Sequence, residues 1–474
     1  MTNPFSPTPP DVPAFLTQHQ GYISVAPHGR YFQDEAGRGF IVIGHNDAIT
    51  WPGFEELLWG DPAPAEAYIA DLRAHGVNVS RIMLEYAQVR HGLLEDSVGK
   101  FAPRVVRFWD QFIPMAERHG LYLLLTPYDT FWQVLHWRQY PYNHLHGGPC
   151  KRKVDWLTKR ASIDAQKARW KFAIQRWGGS ANIFAWDLMN EIDLYWKSTP
   201  QQLYQYIAEM ASYVRALEQE YWGKTHLITV SSATAVPQGD LGEVIYNHPD
   251  LDFINTHLYA GEGIKAPVDT IEGALNMGSA VAASLNAMRY VRPYFDSESG
   301  PIDAWILDLN LDAEYHHNMS FAHLASGGAG SGMRWPYTQL HHLLPPFRDN
   351  LLGMARFATA IDWTKFSSRN INNWIYANDE TVLKMGCGDE YRLLLWFLSD
   401  RRRSLTGSLE GVRADVYDVL RDGHYCVEQW ETYEGRRIHA ERVYVDGGIL
   451  RFTLHTCGMA LKDIAVSVYP CSPG

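Results

Sequence analysis

Two glutamates close apolar runs that lie far apart in the chain: Trp186-Asp187-Leu188-Met189-Asn190-Glu191 ends one, and Phe295-Asp296-Ser297-Glu298-Ser299-Gly300 ends the other. Further runs also finish on polar or aromatic groups: Arg81 after Val77-Asn78-Val79-Ser80, His257 and Tyr259 in Thr256-His257-Leu258-Tyr259, and Arg334-Trp335. Two carboxyl groups brought face to face can divide the labour of glycoside cleavage. One stays protonated to assist the leaving oxygen, and the other attacks the anomeric carbon or activates water. Each needs its own environment, because an ionised carboxylate needs donors and positive charge whereas an acid needs a site that raises its pKa. A single glutamate at a strand end is usually an ion-pair partner or a helix cap; the pair is what points to chemistry.

Such groups converge only if the runs carrying them are neighbouring parallel strands. Eight short apolar runs start at Phe40, Val77, Leu121, Ile183, His226, Asp252, Pro293 and Gly332. Helical patterns alternate with them at Ala65 to His75, Val105 to His119, Ile163 to Trp177, Gln201 to Tyr221 and Asp312 to Ser326, with a last helix near Asn350 to Ile361. This predicts an α/β fold, a (β/α)8 TIM barrel with catalytic groups at the C-terminal strand ends. The rival open sheet would carry G-x-G-x-x-G after its first strand, and Gly44-His45-Asn46-Asp47 begins no such loop. Beyond this, closely spaced strands and turns such as Asp422-Gly423 and Asp446-Gly447 predict a smaller C-terminal antiparallel β-sandwich. The expected domains are residues 1–362, a barrel with an N-terminal extension, and residues 363–474. The second is expected to buttress the barrel, with carbohydrate binding as the alternative.

Composition excludes other classes. Forty-two Lys and Arg against 53 Asp and Glu give a net charge of -11, which disfavours nucleic acid as a partner. The short basic runs at Lys151-Arg152-Lys153 and Arg401-Arg402-Arg403 read as solvated loop faces. No apolar stretch is long enough for a membrane span. The proline-rich start has no signal-peptide pattern, and five scattered cysteines without a CxxC pair read as free thiols, so a cytoplasmic location is expected. His144/His146, His316-His317 and His341-His342 lack metal-ligand spacing, and no G-x-S-x-G elbow occurs. Neither a metal nor a cofactor is expected.

The motifs at Trp186 to Glu191, Thr256 to Tyr259 and Phe295 to Gly300, followed by Trp335, resemble those of clan-A glycoside hydrolases, and within them family 5, the cellulase and mannanase-like enzymes. The resemblance covers roughly residues 20 to 360. It implies Glu191 as acid/base and Glu298 as nucleophile, about 5 to 5.5 Å apart, with retention of configuration. It further implies that Asn190 binds the sugar 2-hydroxyl, Tyr259 and Arg81 hold Glu298 ionised, His257 sits beside the reacting sugar and Trp335 forms the floor beneath it. The chain departs from the pattern where the third strand ends: Leu125-Thr126-Pro127-Tyr128-Asp129 stands where the family usually has a histidine. Asp129 or Glu85 could supply the missing contact to the terminal sugar, or serve only as a bridging group.

The expected activity is that of a retaining β-glycosidase using no cofactor beyond water, exo-acting and mannosidase-like, on an oligosaccharide or glycoside. The alternatives are endo-β-mannanase or endoglucanase action, transglycosylation, and a non-catalytic carbohydrate-binding barrel. Aromatics after the first run (Trp51, Phe54, Trp59) and after the third (Phe131, Trp132, Trp137, Tyr140, Tyr142) are candidates for closing one end of a cleft, although any one of them is more often core.

Overall fold

The computed structural model describes residues 19–195, 197–260, 264, 266–300, 309–335, 343–404 and 407–471. The expected N-terminal extension before residue 19, the Pro336-Tyr337 end of the eighth run and the His341-His342 pair lie outside the described residues. Among the described residues, no helix is long and apolar enough to cross a membrane.

The main parallel strands of the first part are β1 (Gly44–Asp47), β2 (Val79–Met83), β3 (Tyr122–Thr126), β4 (Ile183–Asp187), β5 (Leu227–Thr229), β6 (Ile254–Tyr259) and β7 (Tyr294–Gly300). All but the end of β6 are buried throughout, as strands covered on both faces must be. Five pair in parallel in the order β5-β4-β3-β2-β1. Ser231–Ser232, one residue beyond β5, begins a second parallel sheet with β6 and β7.

The eighth run forms no regular strand. Residues 329–335 still lie between β7 and the start of β1: the Ala329 amide donates to Tyr294 O at 2.8 Å, Met333 to Asp296 O at 3.0 Å, and Ser331 to Val42 O at 2.8 Å. Glycines at 327, 328, 330 and 332 weaken the ladder but allow close approach, since a Cβ on Gly330 would meet the Val42 carbonyl.

A helix follows each run: α1 (Ala63–Ala74), α2 (Pro103–His119), α3 (Arg160–Trp177), α4 (Pro200–Trp222), α5 (Gly239–Asn247), α6 (Asp269–Ala287), α7 (Leu309–Ala325) and α8 (Pro345–Phe357). Their limits are set locally. In α4, Thr199 and Gln202 form a reciprocal capping box, Pro200 takes the first turn, and Gly223 ends the helix at φ 68°.

After Phe357 the chain turns to antiparallel strands: β8 (Arg369–Asn370), β9 (Ile375–Ala377), β10 (Val382–Gly388), β11 (Leu393–Ser399), β12 (Arg413–Tyr417), β13 (Gly423–Glu431), β14 (Arg436–Val445), β15 (Ile449–Thr453) and β16 (Asp463–Pro470). They form two sheets, β8-β10-β11-β16-β13-β14 and β9-β12-β15. Leu395, Phe397, Val427 and Val466 of the larger sheet share a core with Ala414, Val416 and Leu450 of the smaller. The other face of the larger sheet joins the core of the first part through Met385, Leu394, Trp396 and Ala465.

The free-thiol expectation requires correction: Cys426 and Cys471 form a disulfide. Antiparallel pairing of β13 with β16 brings their Cα atoms to 5.2 Å, a proximity that 45 residues of separation conceal. The cysteine-based ground for a reducing compartment is thereby lost. Cys150 and Cys387 are buried free thiols, and Cys457 is an exposed one.

Candidate active site

The C-terminal ends of β2, β4, β6 and β7 bring Arg81, Asn190, Glu191, His257, Tyr259 and Glu298 together. One oxygen each of Glu191 and Glu298 and a nitrogen of His257 lie within 4.8 Å of one another. Both carboxyl groups are buried, Glu191 at 5% exposure and Glu298 at 7%.

Glu298 is surrounded by donors. Arg81 Nη1 donates to its Oε2 at 2.7 Å and the Tyr259 hydroxyl donates to Oε1. Arg81 is itself buried and fixed, with Nη1 donating to Asn46 Oδ1 at 3.1 Å and Nη2 to Asn190 Oδ1 at 2.5 Å and Asp187 Oδ2 at 3.4 Å. A register shift pairs Thr256 with Asp296 but His257 with Glu298, so Ser297 is the extra residue of a bulge that re-aims Glu298.

Glu191 is placed differently. It sits at φ 50° in the left-handed region, a strained position for a non-glycine residue, held because its amide donates to Ser231 Oγ at 3.0 Å. Ser231 is anchored in turn, its hydroxyl donating to Asp187 Oδ2 at 3.0 Å. Burial pushes the Glu191 carboxyl up to about 8 against the opposing pull of Arg81, so it is protonated at neutral pH. His257 Nδ1 lies 2.9 Å from Glu191 Oε1, and its Nε2 lies 3.1 Å from Ser297 Oγ. Burial pushes this imidazole down to about 3, which leaves it neutral. The two glutamates therefore occupy opposite environments, one acidic in reserve and one beside a fixed cation.

Trp335 is half-buried at the same rim, edge-on to Trp51 at 4.9 Å, and its amide donates to Ser299 O at 2.9 Å. Glu85 and Asp129 serve as bridging groups: Glu85 pairs with Arg169 at 2.9 Å and accepts from Tyr140 at 2.7 Å, while Asp129 caps the short helix Thr130–Leu135 and accepts from the Ala87 amide at 3.0 Å. Trp51, Phe54, Trp137, Tyr140 and Tyr142 are core, while Trp59 and Phe131 are exposed.

Sequence reasoning assigned no role to Asn46, Asp187, Ser231 or Ser297, which hold the inner ring in place. Asn46 Nδ2 donates to Ser297 O at 2.8 Å and so ties β1 to the bulge. Asn46 and Asp187 do close apolar runs, a signal that was there to read. Glu191, His257 and Glu298 could also gather round an ion. Arg81, 2.7 Å from Glu298, already supplies that carboxylate with a positive charge that would repel one.

Parallel strands ending in two close carboxyl groups, one kept protonated by burial and one beside a guanidinium, fit the class of glycoside hydrolases. The chain belongs to the Cellulase family (glycosyl hydrolase family 5), whose model matches residues 35–300. It is 29% identical over 165 residues to mannan endo-1,4-beta-mannosidase F of Aspergillus clavatus, covering 32% of this chain and 36% of that one. The chain spans only about a third to a half of the length of the curated relatives it matches. Among solved structures, one described as a glycoside hydrolase superposes with TM-score 0.61 at 16% identity, covering 98% of this chain and 99% of that one. A glycoside hydrolase family 5 mannosidase from Rhizomucor miehei superposes with TM-score 0.51 at 15% identity, covering 69% and 91%. Family and neighbours imply a (β/α)8 TIM barrel for the parallel strands.

Proposed function

We propose that this protein is a retaining β-glycosidase that removes single sugar residues from β-mannosidic oligosaccharides or glycosides through a covalent glycosyl-enzyme intermediate. The observation that carries the reading is the short separation of the carboxyl groups, whose facing oxygens lie within 4.8 Å. An inverting enzyme needs roughly 6.5–9.5 Å to admit a water between them, whereas a retaining one needs about 5–5.5 Å. Glu298, hydrogen-bonded by Arg81 and Tyr259, attacks the anomeric carbon. Glu191 gives its proton to the leaving oxygen, then as a carboxylate takes one from the water that releases the sugar. Asn190, its carboxamide oxygen fixed by Arg81, offers its amide to the 2-hydroxyl, and Trp335 stacks under the ring.

Preference for β-mannosides rests on the mannosidase names among the relatives. Exo action is supported by the long segment after β3: Thr130 Oγ1 donates to the Asn190 carbonyl, which seats that segment directly against the catalytic turn as a wall. Endo action on mannan is the second reading, since it is what the curated relatives are named for. In the same reading the segment at 329–335 closes the parallel strands into one barrel within residues 1–362, and residues 363–474 make a β-sandwich. Product analysis on mannotriose and mannohexaose tests the mode. Exo action releases mannose from the first moments; early release of dimers and trimers from mannohexaose would overturn it, and inertness toward nitrophenyl and oligomeric β-mannosides alike would overturn the substrate.

A further inference from the structure

A second cleft, of about 580 Å³, lies on the seam between the two parts of the molecule, lined by Asp362 and Phe366 from the segment after α8 and by Arg392, Glu428, Trp430 and Tyr469 from the large antiparallel sheet. Each helix returns antiparallel to the run before it, so the end of α8 faces away from the strand ends that carry Glu191 and Glu298. The size lies within the roughly 300–1,000 Å³ typical of small-molecule sites.

The wall contains polar groups with nothing to bind. Ser467 is 1% exposed and lines the cleft, yet its hydroxyl has no hydrogen-bond partner, and neither does the Trp430 indole nitrogen. Buried polar groups are almost always paired within a fold, so two such atoms in one cleft wall suit a ligand that supplies the missing partners. Glu428 is arranged in advance: Arg437 Nη1 donates to its Oε1 at 2.5 Å and the Tyr469 hydroxyl at 3.0 Å. Two carboxylates, Asp362 and Glu428, stand against two guanidinium groups, Arg392 and Arg437, so the lining carries no net charge. Aromatic rings beside paired acceptors and donors, without excess charge, match a neutral polyhydroxylated ligand whose C–H faces stack while its hydroxyls exchange hydrogen bonds.

We propose that this seam cleft is a second carbohydrate-binding site, separate from the barrel mouth, which takes a neutral oligosaccharide against Trp430, Tyr469 and Ser467. None of its residues belongs to the candidate active site, so it stands or falls independently of the catalytic reading.

The test is isothermal titration of the full chain carrying Glu298→Gln with mannotriose, cellotriose and xylotriose in turn. At least one of the three binds with a component that Trp430→Ala weakens tenfold or more and Trp335→Ala leaves unchanged. Ser467→Ala weakens the same component while leaving the thermal unfolding temperature unchanged or raised, because it removes an unpaired hydroxyl. Should Trp430→Ala fail to fold, Tyr469→Ala and Arg392→Ala carry the test. On the Glu298 parent, none of the seam variants changes nitrophenyl glycoside hydrolysis. Absence of any seam-dependent component for all three sugars overturns the proposal. Persistence of that component while the chain with Glu298 intact hydrolyses none of the nitrophenyl or oligomeric glycosides would overturn the catalytic reading and leave the seam site standing.

Discussion

At the scale of the residue, the account rests on two glutamates of the same chemistry made unlike by their surroundings. Glu191 is protonated below a pKa of about 8, because burial penalises its charge. The acid needed for leaving-group departure is therefore present at neutral pH and lost as pH rises through 8, so kcat/KM for a β-glycoside is expected to fall tenfold per unit on that alkaline limb. The same shift opposes stability: the unfolded chain releases this proton near pH 4.5, so folding free energy declines between about 4.5 and 8 as pH rises. Glu191→Gln removes that decline, and unfolding followed from pH 5 to 8 should show a flatter curve while activity drops by roughly 10²–10⁴. Arg81→Met takes away the cation beside Glu298 and leaves Asp187 and Glu298 uncompensated. A loss of about 10²–10³ in kcat/KM, with a lower unfolding temperature, is the expected outcome from activity assays and thermal scans. Glu191, Glu298 and their immediate partners were legible because each closes an apolar run. Ser231 and Ser297 were not, because a serine's part in supporting another residue depends on register, and only the paired strands reveal register.

At the scale of the element, position comes from departures from regularity: the bulge at Ser297, the left-handed turn at Glu191 and the glycine-rich segment at 329–335. Gly330→Ala would drive a methyl group into the Val42 carbonyl, and a loss of about 1–3 kcal/mol is expected in denaturant unfolding. Activity at low temperature should fall as well, since this segment carries Trp335. Seven parallel strands and most of the helices between them could be read from alternating apolar runs and helical periodicity; α5 and α6 could not, since glycines at 239 and 242 and at 273 and 278 weaken their helical pattern. The eighth could not be read as it stands, because Gly332-Met333-Arg334-Trp335 looks like a strand locally but meets its neighbours only through isolated bridges. Strand β10, Val382–Gly388, is obscure in the sequence for a related reason: its two glycines interrupt the β-branched pattern, and Gly386 is needed where Ile375 and Leu395 crowd it.

At the scale of the whole molecule, one buried carboxylate ties the C-terminal sheets to α7, beside the ion pairs of Glu314 with Arg401 and Lys462. Asp463 Oδ2 lies 3.0 Å from His317 Nε2 on α7 and accepts from Trp396 Nε1 at 2.7 Å and Thr432 Oγ1 at 2.8 Å. Asp463→Ala strands these buried groups, and a destabilisation of about 2–4 kcal/mol is expected, read as a single cooperative unfolding transition moved to lower temperature. Two separate transitions would show that the parts are not coupled. The change of pattern after Phe357 marked the second part in the sequence, but the disulfide and the seam cleft depend on which strands pair, and nothing in the linear order records that.

The central claim is double displacement between Glu298 and Glu191, and its most direct test is the anomeric configuration of the first product released from an aryl β-mannoside, followed by proton NMR before mutarotation. The account predicts the β-anomer first; appearance of the α-anomer first would contradict it.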